Sequence, residues 1–293
     1  VDGPWHWLAD PWSQAIVQRA FLEVALLGLA GGLLGCWIVL YGLSYGAESL
    51  SHGLFPGLVV AALLGAPLIL GAAGGLMVGA LAVALAGRLT AIGRDTAVAV
   101  VVTSAFGLGV LLALSPASPP GIQGLLFGDI LASSDSDLLL AAVLVAVVAV
   151  ALRLLHWRLL AVGFDRAGAR ALGLSALRAD IALLILMSAG ILVAVQGLGS
   201  LLVVAVLVAP AATARLLARR MLTMMCLSCS LAILAGLGGL YLSYHASLAA
   251  GACIAAVLVG MYLLTALAVS VRLPRPPRRE PEGAAGAAVP WVA

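Results

Sequence analysis

The sequence contains no lysine; all 15 of its basic residues are arginine. A phosphate-binding P-loop needs the lysine of Gly-x-x-x-x-Gly-Lys-Ser/Thr. The chain therefore holds no such loop, and any ATP-driven work must draw on hydrolysis by another polypeptide. Charge of either sign is scarce. Charged residues fill 9% of the 293 positions, against about 25% in soluble domains. The arginines form no patch suited to nucleic acid, and the net charge is only +3. The four cysteines, Cys36, Cys226, Cys229 and Cys253, lie in or beside apolar runs, which excludes a secreted disulfide scaffold. Cys226 and Cys229 form a C-x-x-C near Met221, Met224 and Met225, open to a soft metal or to plain packing between helices.

Apolar sequence is what remains. Hydrophobic residues make up 64% of the chain and mean hydropathy is +1.20, too little polar surface to cover a water-soluble globule. Repeated apolar stretches of roughly 20 residues predict an all-α, polytopic transmembrane helix bundle. About nine spans are expected at that length, and eight with one broken helix also fit. They run from near Arg19 to Tyr41, Ser49 to Gly65, Pro67 to Gly87, Thr96 to Leu114, Asp137 to Leu155, Asp180 to Gln196, Gly199 to Leu217, Met221 to Ser243 and Ser247 to Ser270. The joins at Pro67 and near Gly197 are the least marked. Residues 1–18 carry Trp5, Trp7 and Trp12 and are expected at the membrane interface, without the features of a cleavable signal peptide. Residues 19–271 form the transmembrane domain. Residues 272–293, rich in Pro, Arg, Glu, Gly and Ala, are expected to be a disordered tail.

Arginine placement orients the spans. Arg88 and Arg94, Arg153 and Arg158, Arg166 to Arg178, Arg215 to Arg220, and Arg272 to Arg279 fall on one side under a nine-span count. The loop between spans four and five carries Asp129, Asp135 and Asp137 and no arginine. The positive-inside rule puts the arginine loops and the C-terminus in the cytoplasm, and the N-terminus outside.

Three segments carry chemistry. The first holds Glu48 and His52 between long apolar runs. Ionisable groups at that depth cost about 2.5–3.5 kcal/mol each on insertion scales, which marks them as functional. Four residues apart on a helix, they share a face, and a carboxylate beside an imidazole suits a divalent transition metal. One helix supplies two ligands where such a site wants about four. Two copies on a two-fold axis would supply them. Pro56 removes a backbone hydrogen bond and favours a kinked or broken helix beside the pair. The alternative is that Glu48 and His52 pair only with each other for packing. The second segment, Phe164, Asp165, Arg166, Ala167, Gly168, Ala169, Arg170, Ala171, Leu172 and Gly173, lies in an arginine-bearing cytoplasmic loop. Asp165 can cap a short helix there and Gly173 can end it. Such a helix either docks a cytoplasmic partner or anchors the loop in lipid headgroups. The third, Gln196 to Ser200 and on through Pro210 and Thr213 to Arg215, offers small residues for close packing, a proline bend, and less directly a substrate contact. His6, His156 and His245 read as interface residues.

At these segments the chain resembles the membrane permeases of ABC transporters that import zinc, manganese or iron. The family pattern runs roughly Gly-Asp-Ala-Leu-Ser-His-Ala and then Leu-Pro-Gly. Here it reads Gly46-Ala47-Glu48-Ser49-Leu50-Ser51-His52-Gly53-Leu54-Phe55-Pro56-Gly57. Leu126-Phe127-Gly128-Asp129-Ile130-Leu131, the Phe164 to Leu174 loop and the Leu207 to Arg215 run match in the family's order. The resemblance implies the architecture of the vitamin-B12-type permeases, known as type II ABC importers. It implies a homodimer in the cell membrane, two cytoplasmic ATPase subunits that bind the ATP, and an extracytoplasmic metal-binding protein. No cofactor is implied, only a transported metal ion. Glu48 and His52 take the places of the family's intramembrane aspartate and histidine, and Asp165 through Leu174 that of its coupling helix. Three departures stand out: Glu48 is one methylene longer than the usual aspartate, Tyr41-Gly42 replaces an arginine after the first span, and Ser243-Tyr244-His245-Ala246-Ser247 departs from the usual pattern near the last span. Rival readings are an ATP-independent metal transporter or channel, a related permease for chelated iron or a vitamin, and an intramembrane metalloprotease. The last lacks the His-Glu-x-x-His motif.

Overall fold

The computed structural model describes residues 12, 14–86, 94–116, 119, 128, 130–132, 134–200 and 202–272, without the side chains of residues 80, 83, 84, 86, 94, 95, 97, 98, 196 and 272. Trp5, Trp7, His6, Arg88, Leu126, Phe127, Asp129 and the tail from residue 273 lie outside that description. The helices are α1 (Ala15–Leu40), α2 (Ser44–Leu63), α3 (Leu68–Ala86), α4 (Arg94–Ala113), α5 (Asp135–Phe164), α6 (Arg166–Ala171), α7 (Ala176–Leu198), α8 (Val203–Leu217), α9 (Met221–Ala246) and α10 (Ala250–Arg272), with a single 3₁₀ turn at Ile130–Ala132 before α5. Among the described residues five helices, α1, α5, α7, α9 and α10, are long and apolar enough to cross a membrane by length and composition. Apolar parts of α3, α4 and α8 are shorter.

The helices begin and end for local reasons. Ser134 and Asp137 form a reciprocal capping box at the start of α5, with Asp135 and Asp137 set against the positive end of the helix dipole. The chain breaks between α2 and α3 at Leu64–Pro67, and between α7 and α8 at Gly199. Pro56, by contrast, does not break α2, which runs through it as one helix. At this turn Gly109 of α4 leaves room for Phe55 and Pro56 to lie against the α4 backbone.

Helix α1 is the axis of the bundle, packing on α9, α8 and α5, while α2 packs chiefly on α3 and α4. It is buried nearly all round, through Phe21, Leu27, Leu34, Trp37 and Ile38. A Cβ on Gly35 would collide with the Leu207 carbonyl oxygen of α8, so only glycine permits that approach.

Paired contacts fix the directions. Arg19 meets Asp135 near one end of α1, and Tyr41 meets Leu159 past the other; α5 therefore runs parallel to α1. Gly190 lies against Leu34 and Gly197 against Glu23, so α7 runs back. Val206 lies against Gly31 and Arg215 donates to the Val39 carbonyl, so α8 runs forward again. Arg166, Arg170, Arg178 and Arg215 thus gather at the end where α1 finishes, and Asp135 and Asp137 at the other. Arg19 is the exception; it sits at the acidic end, where Asp135 holds it at 3.1 Å.

Candidate metal path and cytoplasmic docking helix

Helix α2 starts at Ser44 rather than near Ser49, which places Glu48 inside the helix with its apolar neighbours. His52 Nε2 lies 3.9 Å from Glu48 Oε1, one turn apart on one face. That is too long for a hydrogen bond. The imidazole leans on the Phe106 ring of α4 at 4.7 Å between centroids, and its side chain is 20% exposed while that of Glu48 is 52% exposed. His52 Nδ1 is buried and makes no hydrogen bond among the described residues. Tyr45, Glu48 and His52 form a stripe that the chain's own helices leave partly open. On the adjoining face, about 100° round the helix, Ala47, Ser51, Leu54 and Leu58 are buried, and Phe55 is buried beside His52 against Phe106. There Ser51 Oγ donates a 2.6 Å hydrogen bond to the carbonyl of Ser200, just past the end of α7.

Helix α6 is built by its own sequence. Asp165 caps it, accepting from the N–H groups of Ala167 at 3.0 Å and Gly168 at 2.9 Å. It ends in a Schellman turn: Leu174 N–H donates to the Ala169 carbonyl and Gly173 N–H to that of Arg170. Gly173 takes φ +77°, where a side chain would be strained. Ala169 is buried against the bundle, while Phe164 at 73% and Leu172 at 78% exposure stand outward. Arg166 forms a bidentate bridge to Asp180, with both N–O distances 3.1 Å. Its guanidinium also lies 5.8 Å from the centre of the Tyr41 ring. The Tyr41 hydroxyl donates to the Leu159 carbonyl at 2.8 Å.

In the third segment the described contacts are those of packing. Pro210 is buried within α8, and the Thr213 hydroxyl is spent on the Ala209 carbonyl of its own helix at 2.8 Å. Gln196 belongs to α7, with its side chain outside the description. All four cysteines are free; Cys226 is exposed and Cys229 buried, its thiol 3.6 Å from the Leu29 carbonyl. Among the described residues no group of three or more His, Cys, Asp or Glu side chains stands ready to hold a metal ion. Sequence reasoning missed Glu23, a carboxylate 4% exposed inside α1 and packed on Gly197. The rule that singled out Glu48 applies to it equally. Asp180, Tyr41 and Ser51 were missed because only the fold gives them partners.

An all-helical bundle with several membrane-length helices, an acid–imidazole pair on α2 and a capped helix at its arginine-rich end has the architecture of a multi-pass membrane protein. The chain belongs to the ABC 3 transport family, whose model matches residues 13–269. It is 32% identical over 254 residues to the "Manganese transport system membrane protein MntC" of Halalkalibacterium halodurans, covering 86% of this chain and 87% of that protein. It is 33% identical over 248 residues to the "Chelated iron transport system membrane protein YfeC" of Yersinia pestis, covering 84% of each. Among solved structures it resembles PsaBC from Streptococcus pneumoniae in complex with Fab, with TM-score 0.82, 28% identity and coverage of 89% and 94%. A putative metal-chelate type ABC transporter in an inward-facing conformation shares the fold at TM-score 0.65 and 18% identity, with 86% of each chain covered. The chain is thus a transport component rather than an enzyme.

Proposed function

We propose that this chain is the permease subunit of an ATP-driven importer for divalent transition metal ions, manganese or iron foremost and zinc by the same ligand chemistry. It works as a homodimer in the cell membrane with nine crossings, the N-terminus outside and the C-terminus in the cytoplasm. Two partner ATPase chains bind the ATP, an extracytoplasmic binding protein delivers the ion, and no cofactor is held tightly. The names of the relatives support manganese and iron.

One observation carries the reading. Glu48 is half exposed on a helix within membrane-spanning sequence, and a carboxylate facing lipid is too costly to persist. The open stripe of Tyr45, Glu48 and His52 must face a second polar surface. A second copy of the same stripe completes it, giving two carboxylates and two imidazoles around one axis. The separation of 3.9 Å between Nε2 and Oε1 suits an ion held between them, since metal–ligand bonds of about 2.1 Å span that gap at an open angle. Brief ligation lets the ion leave. A large chelate would not need this pair. Alternating access moves the opening of this path from one side to the other. Helix α6, with Phe164, Asp165, Arg166, Ala169, Arg170, Ala171, Leu172 and Gly173, is the coupling helix that receives the push of the ATPase.

The test is manganese uptake by cells carrying His52→Ala or Glu48→Gln. Uptake should be abolished while the chain still inserts and co-purifies with its ATPase. Normal uptake in either variant rejects the role of the pair.

A further inference from the structure

We infer that α7 is the rod that carries the movement of α6 to the Glu48–His52 pair, with the Arg166–Asp180 bridge as its input and the Ser51–Ser200 hydrogen bond as its output. The inference rests on the transport reading above and adds the route of coupling. At the cytoplasmic end, the bidentate bridge joins the first residue of α6 to the second turn of α7. A fork-to-carboxylate contact fixes direction as well as distance. The Tyr41 ring under the guanidinium limits where Arg166 can go. Helix α7 then runs unbroken for 23 residues. Asp180 and Ser200 are thereby separated by roughly 30 Å of stiff helix.

At the far end the helix stops at Gly199, at φ +77°, and the next carbonyl accepts from Ser51 Oγ at 2.6 Å. Both serines are fully buried, so water does not compete for this bond. Ser51 adjoins His52 on α2, and any shift of α2 drawn through it moves the Glu48–His52 face as a unit against Phe106 of α4 and against the facing copy. The two links stand in series. A push on α6 reaches the metal pair by this route only if both are intact, which makes Asp180 and Ser51 positioning residues.

The experiment uses the complete permease with its ATPase chains and binding protein in liposomes, and measures manganese moved per ATP hydrolysed. Asp180→Asn and Ser51→Ala should each lower that ratio at least about fivefold, while hydrolysis and co-purification persist. The double variant should be no worse than the weaker single one. Independent sites this far apart combine multiplicatively instead. Ser51→Thr, which keeps the hydroxyl, should restore the ratio. An unchanged ratio, a multiplicative double effect, or hydrolysis falling in step with uptake overturns the inference. If Asp180→Asn fails to assemble, the contrast between Ser51→Ala and Ser51→Thr decides, and equal ratios in those two overturn it. A wild-type complex that moves no manganese on ATP removes the transport reading itself, a distinct result.

Discussion

Glu48 and Gly35 show how single positions carry the argument. Glu48 reaches one methylene further than an aspartate would, and that reach brings Oε1 to 3.9 Å from His52 Nε2. Glu48→Asp should keep transport but shift the preference among manganese, iron and zinc, as read by competition between isotope-enriched ions during uptake. An unchanged preference would show that the extra methylene has no part in selection. Gly35 lies in van der Waals contact with the α8 backbone. Gly35→Ala overpacks that seam and should cost about 1–3 kcal/mol, measured as a lowered thermal midpoint of the detergent-solubilised protein. The pair was legible before the fold was known, because a charged group in apolar sequence needs no partner to be conspicuous. Ser51 was not, since serine is common in membrane helices and its acceptor lies 149 positions away.

The helices were legible where apolar length decided them and, for α6, where its caps did, since Asp165 and Gly173 were read as its ends and stand there. The breaks at Pro67 and Gly199 coincide with the faintest marks in the sequence. Helix α2 starts five residues before the expected span, whose start near Ser49 was set by where the apolar run begins, although Glu48 was already read as helical with His52. Pro56 was read as favouring a kink or a break, and α2 runs through it without a break. The short α6 depends on its ends more than on its length. Asp165→Ala removes the acceptor for two N–H groups and should cost about 1 kcal/mol. Gly173→Val strains the Schellman turn by about 1–2 kcal/mol. Both should reduce recovery of the ATPase with the permease without lowering the amount of chain in the membrane. Full recovery in both would show that α6 does not need its caps to dock.

The assembly as a whole is set by what one copy leaves uncovered. Tyr45 is 46% exposed beside Glu48, on the stripe that a second copy is proposed to meet. Tyr45→Cys, in a background without the native cysteines, should give a disulfide-linked dimer on oxidation, seen as a doubled mass on a non-reducing gel. A band that stays monomeric at saturating oxidant would argue against the two-fold arrangement. No soluble rule read from one chain gives this surface, since it becomes a surface only after α2 has packed on α3 and α4. The length of α5 has a separate consequence. Its 30 residues span about 45 Å, while the oily part of a bilayer is about 30 Å thick. The excess is about the combined depth of the two headgroup layers, so a helix of this length can carry α6 to the membrane surface. Membranes made of longer or shorter acyl chains should therefore alter the tilt of the bundle while leaving α6 at the surface, where the proposed ATPase would meet it.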